Sequence, residues 1–387
     1  MKKSYLMIVA AAALFAACAS NDSFKDVDTQ ESAISFKPFT EKVTRAAIVG
    51  ATGTSAVDGI KTLAEEGGFV VYGYKSTDNW STKATPDIFA GVNVKYDNSS
   101  SAWKYDHLRF WDKNAKYKFF AVAPYSPTDG ATYSSDDVMT DDNDANATTE
   151  FGEITINGAK SNIYSSSDDY LIDRDGATAD GSTHTNAANG NAAVDIDFHH
   201  VMAKVTFKLK STLSSGKIKV TELKMKGYNN GTGKFIQDKT ITGAPTILTT
   251  SEWSFTSNDL TNNEVTLVGA NTGNASGIEF TCDPTSAAAN VKDVADWYIM
   301  VPQQIAANDL VFTVTYTYTD DMGTESTSDD YVETFSNQIA TVTSAQTWGT
   351  DSYTNYTLDI KPVEIKFNVT TICGFDKQGN DYVGTTD

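Results

Sequence analysis

The chain has 387 residues, with 50 acidic against 30 basic side chains and a formal charge of -20. A surplus of that sign repels nucleic acid and anionic headgroups, which call for basic patches, so no nucleic-acid partner is expected. Aromatics are plentiful, only 8 prolines occur, and Thr, Ser, Asn, Asp and Gly fill the polar positions, which favours strands and turns.

Lys2 and Lys3 open the chain, and Tyr5 to Ala17 is an almost unbroken apolar run. It is too short to span a bilayer, which takes roughly 20 residues. Residues 1–17 therefore read as a secretory signal peptide. Its end, Ala16-Ala17-Cys18, resembles the lipobox of bacterial lipoproteins, with Phe15 standing where an aliphatic residue is usual. That resemblance implies diacylation (palmitate-type) at Cys18 and a protein tethered outside the cytoplasm. Loss of Lys2 and Lys3 with the signal takes the charge from -20 to -22. Residues 18–45 form a polar leader that contains the alternating Ile34-Ser35-Phe36 and ends in Val43-Thr44-Arg45-Ala46-Ala47. Such a segment before a lone Arg is either a first strand or a removable pro-segment.

Beyond the leader, length suggests two domains, predicted at 46–194 and 195–387. In the first, Phe69-Val70-Val71-Tyr72-Gly73-Tyr74 is a dense apolar run after Gly67-Gly68. Trp103, Tyr105, Leu108 and Phe110 follow a Ser-rich turn, and Tyr117, Phe119, Ala121 and Ala123 alternate up to Pro124. A two-turn helix is predicted only at Ile60 to Glu66. Ser134 to Glu153 and Asp173 to Asn191 read as polar, acidic loops, the second marking a junction near Val194.

The strongest strand signal is Phe198 to Lys210, with Val201, Ala203, Val205, Phe207 and Leu209 on one face and Lys204, Thr206, Lys208 and Lys210 on the other. Ile218, Val220 and Leu223 come next, and Asn229-Asn230-Gly231 marks a tight turn. Trp297, Ile299 and Val301 alternate up to Pro302, and Leu310, Phe312, Val314, Tyr316 and Tyr318 form a second clean strand. Tyr356, Leu358 and Ile360 precede a last strand, Val363, Ile365, Phe367, Val369. Many short strands without helical alternation predict an all-β protein of antiparallel sandwiches rather than βαβ units.

These segments, in order and spacing, resemble the fimbrillin family (Mfa-like, FimA-related) of Bacteroidales, subunits of type V pili. The likeness rests on the Cys18 lipobox, Ile34-Ser35-Phe36 with Thr44-Arg45-Ala46, and Phe69 to Tyr74. It continues through Phe119 to Pro124, Asp197 to Val205, Trp297 to Pro302, and Trp348 with Tyr356 to Leu358 and Val363 to Phe367. The resemblance implies two tandem transthyretin-like β-sandwich domains in a lipoprotein anchored at the outer membrane. It also implies proteolysis between Arg45 and Ala46, release of the strand around Ile34 to Phe36, and filling of its groove by a strand of another fimbrial subunit. A chain starting at Ala46 would carry -21, having lost four basic and five acidic residues more. Val363, Ile365, Phe367 and Val369 are the candidate donor strand, the other reading being an ordinary last strand of the second domain.

Signals for chemistry are weak. His199-His200 lies beside Asp195 and Asp197, but neighbouring strand residues point to opposite faces, so the two rings do not readily share one metal. Asp142, Asp144, Asn146 and Glu153 match four EF-hand loop positions, yet Ala147 replaces the required Gly. Cys282 and Cys373 either pair or stay as buried thiols. No nucleophile elbow occurs. The expectation is therefore a structural fimbrial subunit at the cell surface, not an enzyme, with no cofactor and no metal, and with a host or bacterial surface ligand left open. The alternative is a monomeric lipid-anchored surface binding protein, for example carbohydrate-binding, that keeps residues 18–45.

Overall fold

The computed structural model describes residues 33–40, 67–77, 86–127, 129–136, 151–163, 169–180, 193–237, 252–255, 263–285, 290–294, 297–320, 322–323, 327–362 and 364–373. Among them the architecture is all-β, as the composition predicts. A seven-stranded sheet runs in the order Phe36–Thr40, Val194–His200, Leu171–Asp180, Lys116–Ala123, Phe69–Ser76, Phe89–Asp97, Ala102–Lys104. A four-stranded sheet of Trp253–Ser254, Gly231–Gln237, Phe151–Ala159 and Thr132–Asp136 packs on it.

The seven-stranded sheet is buried on both faces, and this explains its continuous apolar runs. Phe69, Val71, Phe119, Ala121 and Ala123 enter one core, while Val70, Tyr72, Tyr74, Phe120 and Val122 enter a second core under the four-stranded sheet. A third and larger core lies between two further sheets. One contains Glu364–Cys373, Ser352–Lys361, Ala203–Lys210, Tyr298–Met300 and Asn162–Ile163 in that order. The other contains Glu264–Val268, Lys217–Lys226, Val311–Asp320 and Tyr331–Thr341. Phe207, Tyr356 and Leu358 from the first meet Val220, Phe312 and Val314 from the second.

Several sequence expectations change here. Phe198 to Lys210 is two strands: Val194–His200 belongs to the seven-stranded sheet, and after Val201-Met202 the chain enters another as Ala203–Lys210. The expected junction near Val194 falls at the first residue of that earlier strand. Within Trp297 to Val301, Tyr298 and Met300 enter the large core while Ile299 and Val301 enter the core under the four-stranded sheet, so apparent alternation conceals burial on both faces. Trp103 to Phe110 is not a strand throughout; it is Ala102–Lys104 plus an isolated bridge at Phe110. The first part of the second polar stretch, Asp173 to Asp180, is not a loop either, since Leu171–Asp180 pairs with Lys116–Ala123. The phase change from Ile218 and Val220 to Leu223 is a β-bulge, where register shifts between Val220 and Glu222. Strands from both sides of residue 194 share sheets, for Gly231–Gln237 pairs with Phe151–Ala159 and Tyr298–Met300 with Asn162–Ile163. The predicted helix Ile60 to Glu66 lies outside the described residues.

Candidate functional site: the leader strand and its groove

The leader contributes the edge strand Phe36–Thr40, which pairs parallel with Val194–His200 in the register Phe36↔Val194 to Thr40↔Phe198. The Val194 amide donates to the Ser35 carbonyl at 2.7 Å. On the opposite side the segment after Ala102–Lys104 closes over the leader's start. The Ile34 amide donates to the Arg109 carbonyl (2.8 Å), and the Tyr105 hydroxyl donates to the Ile34 carbonyl (2.7 Å). Ala33 forms a bridge with Phe110. The leader therefore spans from one edge of the seven-stranded sheet to the segment that continues its other edge.

Alternation sets which side chains enter. Ile34 is 1% exposed and Phe36 4%, and Pro38 is also buried, while Lys37 faces solvent. Phe36 meets Phe89 and Phe119 edge-on, with ring centres 5.2 and 5.4 Å away. Burial of two such side chains is worth about 1.5–3 kcal/mol each. Proline lacks a ladder donor and is tolerated because the leader is an edge strand. The Arg109 guanidinium lies 4.5 Å over Phe89, which braces the groove wall. Tyr105 presents its ring to Phe36 and Phe89, and burial pushes its phenol up despite the neighbouring Arg109.

Among the described residues the C-terminal strand Glu364–Cys373 is also an edge, paired antiparallel only with Ser352–Lys361. Ile365, Phe367 and Val369 are only half-buried against the large core, Phe367 lying 5.0 Å from Phe312. Its sequence Ile365-Lys366-Phe367-Asn368-Val369 repeats the leader's Ile34-Ser35-Phe36-Lys37-Pro38 as Ile, any, Phe, any, apolar. That correspondence escapes a reading of either strand alone.

The fimbrillin-like family profile matches residues 44–372, most of the chain. The chain belongs to the fimbrillin-like family. Among solved structures, a fimbrial protein from Bacteroides vulgatus is similar over 88% of this chain and 99% of its own, at 19% identity and TM-score 0.58, which supports the shared fold. A putative cell adhesion protein from Bacteroides uniformis aligns at 11% identity, covering 88% of this chain and 98% of its own, with TM-score 0.40. The tip fimbrial protein Mfa3 from Porphyromonas gingivalis aligns at 9% identity, covering 79% and 99%, with TM-score 0.25. No curated protein matches.

Other sequence candidates in this fimbrillin-like chain fall as follows. Cys18, Arg45, Ala46, Val363, Asp142, Asp144 and Asn146 lie outside the described residues. His200 turns inward, its Nδ1 2.9 Å from Asp169 Oδ1, whereas His199 Nε2 lies 3.7 Å from Asp197. The two rings thus take separate carboxylates. Cys282 is a buried free thiol pushed up by burial.

Proposed function

We propose that the chain is a structural or accessory subunit of a cell-surface fimbrium, assembled by strand exchange and supporting adhesion, with no catalytic role. In this reading it is exported as a lipoprotein through Cys18, cut between Arg45 and Ala46, and freed of its leader. In the same reading it comprises two β-sandwich domains, 46–194 and 195–387. The observation that carries the reading is the leader itself. It is an edge strand that fills a groove with alternate apolar side chains, and Arg45 follows Thr40 by only five residues. Removing it uncovers a strand edge and open apolar sockets, a surface that aggregates unless another strand covers it.

The C-terminal strand of a neighbouring subunit is the proposed donor, with Ile365, Phe367 and Val369 taking the places of Ile34, Phe36 and Pro38. Two facts support it: the shared residue pattern, and the greater burial of the leader's anchors than of the C-terminal ones in their own sheet. Main-chain pairing supplies affinity and the alternate sockets supply selectivity.

N-terminal sequencing and intact mass of the protein from the cell surface test this. The expected chain begins at Ala46 and runs as SDS-resistant ladders. A lipidated Cys18 with the leader intact and no ladders would leave the monomeric surface lipoprotein and sink polymerisation.

A further inference from the structure

The start of the leader is closed in by a rung with an inserted side chain. Ala33 and Phe110 bridge antiparallel, which sets Ile34 opposite Arg109 in the same register. Two residues paired in this way ordinarily exchange both main-chain hydrogen bonds directly. Here the Ile34 amide donates directly to the Arg109 carbonyl (2.8 Å), but the return bond is relayed. The Arg109 amide donates to the Tyr105 hydroxyl oxygen (3.4 Å), and that hydroxyl donates to the Ile34 carbonyl (2.7 Å). On the other wall the Val194 amide donates to the Ser35 carbonyl (2.7 Å). Successive peptide groups of the leader are thus gripped from opposite sides.

The segment that makes this rung is held in shape by its own arginine. Arg109 Nη1 donates to the carbonyls of Asp106 (3.3 Å) and His107 (2.9 Å). Its guanidinium lies 4.5 Å over the Phe89 ring and 5.7 Å from the Tyr105 ring. Asp106, His107 and Leu108 are exposed, so Arg109 rather than burial fixes the turn. The rung touches only peptide groups of the leader. It therefore asks of a strand no particular side chain, only a free N–H at that position, which proline lacks. In the leader the proline comes four residues later, at Pro38. In the candidate donor, Ile365 takes the place of Ile34, and Pro362 stands three residues ahead of it.

We propose that Tyr105 to Phe110 is a main-chain clasp for strand exchange, closed through the Tyr105 hydroxyl and the Arg109 carbonyl. It holds first the leader, and then the incoming strand, at the residue two before the phenylalanine. The inference rests on the strand-exchange reading above and adds to it two positioning residues, Tyr105 and Arg109. The clasp grips Ile34, whereas Arg45 lies beyond the other end of the strand Phe36–Thr40. A cut after Arg45 therefore leaves this rung intact. The cut leader stays seated until the clasp opens, which keeps the exposed strand edge covered until a donor arrives.

The test has two arms. In the uncut full chain, Tyr105→Phe keeps the ring and removes the relay. Hydrogen exchange at the leader amides around Ile34 should then rise about three- to tenfold, the loss of one neutral hydrogen bond. Exchange in Val311–Asp320, in the large core, should stay as it was, which separates an opened clasp from general destabilisation. In the chain clipped after Arg45, a labelled synthetic peptide of residues 362–373 should displace the leader, and faster in Tyr105→Phe. The same peptide with an ester oxygen in place of the Ile365 N–H should bind about three- to tenfold more weakly. Leader amides that exchange alike in both proteins, or an ester peptide that binds as tightly as the amide, would overturn the clasp. Leader amides loosened by Tyr105→Phe while the peptide never displaces the leader would instead sink the strand-exchange reading and leave the clasp as a leader lock.

Discussion

Phe36 meets three rings at once: Phe89 and Phe119 edge-on, and Tyr105 with ring centres 5.9 Å apart. Edge-on pairs add to what burial alone supplies, so this side chain is the leader's main anchor. Phe→Ala changes in a packed core cost about 3–5 kcal/mol. Phe36→Ala in the uncut precursor should therefore lower the unfolding free energy in urea by about that much, and a loss below about 1 kcal/mol would contradict the packing. The alternation of Ile34-Ser35-Phe36 is legible in the sequence because a strand's period is two. The groove is not. Tyr105 and Arg109 carry no local pattern that points to Ile34, and they reach it only because the sheet brings its two edges together.

At the level of elements, a strand buried on one face is legible in the sequence and a strand buried on both is not. Val311–Asp320 shows its buried Phe312, Val314 and Tyr316 in clean alternation, since only one face meets the core. Val194–His200 and Ala203–Lys210 merge in the sequence because both alternate and nothing in Val201-Met202 announces the passage between sheets. Nearly all of Tyr331–Thr341 is exposed, so no apolar period marks it in the sequence. Among the described residues the C-terminal strand has one paired neighbour, its anchors are half-buried, and its removal should leave the remaining large core in place. A chain ending at Lys361 is expected to keep its far-UV strand spectrum at a lower thermal midpoint. Mixed with processed full-length subunits, it should accept a strand but donate none, shortening the SDS-resistant ladders. Ladders of unchanged length would move the donor elsewhere in the chain.

Across the whole molecule, three cores are laced through shared strands. Ile299 and Val301 pack with Val70 and Phe120 while Tyr298 and Met300, on the same strand, pack with Phe207 and Phe312. Burial pushes the phenols of Tyr72, in one of these cores, and of Tyr228 and Tyr316, in the other, from the ordinary 10 up to about 12. For Tyr228 and Tyr316 the charges of Glu264 and Glu333 push the same way. A raised folded pKa means that the folded chain holds protons which the unfolded chain loses first. Stability is thus unaffected below the unfolded value near 10 and falls as pH climbs from there through 12. The urea midpoint should be flat up to about pH 10 and decline steeply above it, and a flat profile to pH 12 would refute burial of these groups. Because the strand Tyr298–Met300 joins both cores, the late-ionising phenols of Tyr72, Tyr228 and Tyr316 should appear together, in the step that unfolds the chain. Phenolate absorbance rising in two separate steps would mean that the cores come apart independently, and that the shared strand does not couple them.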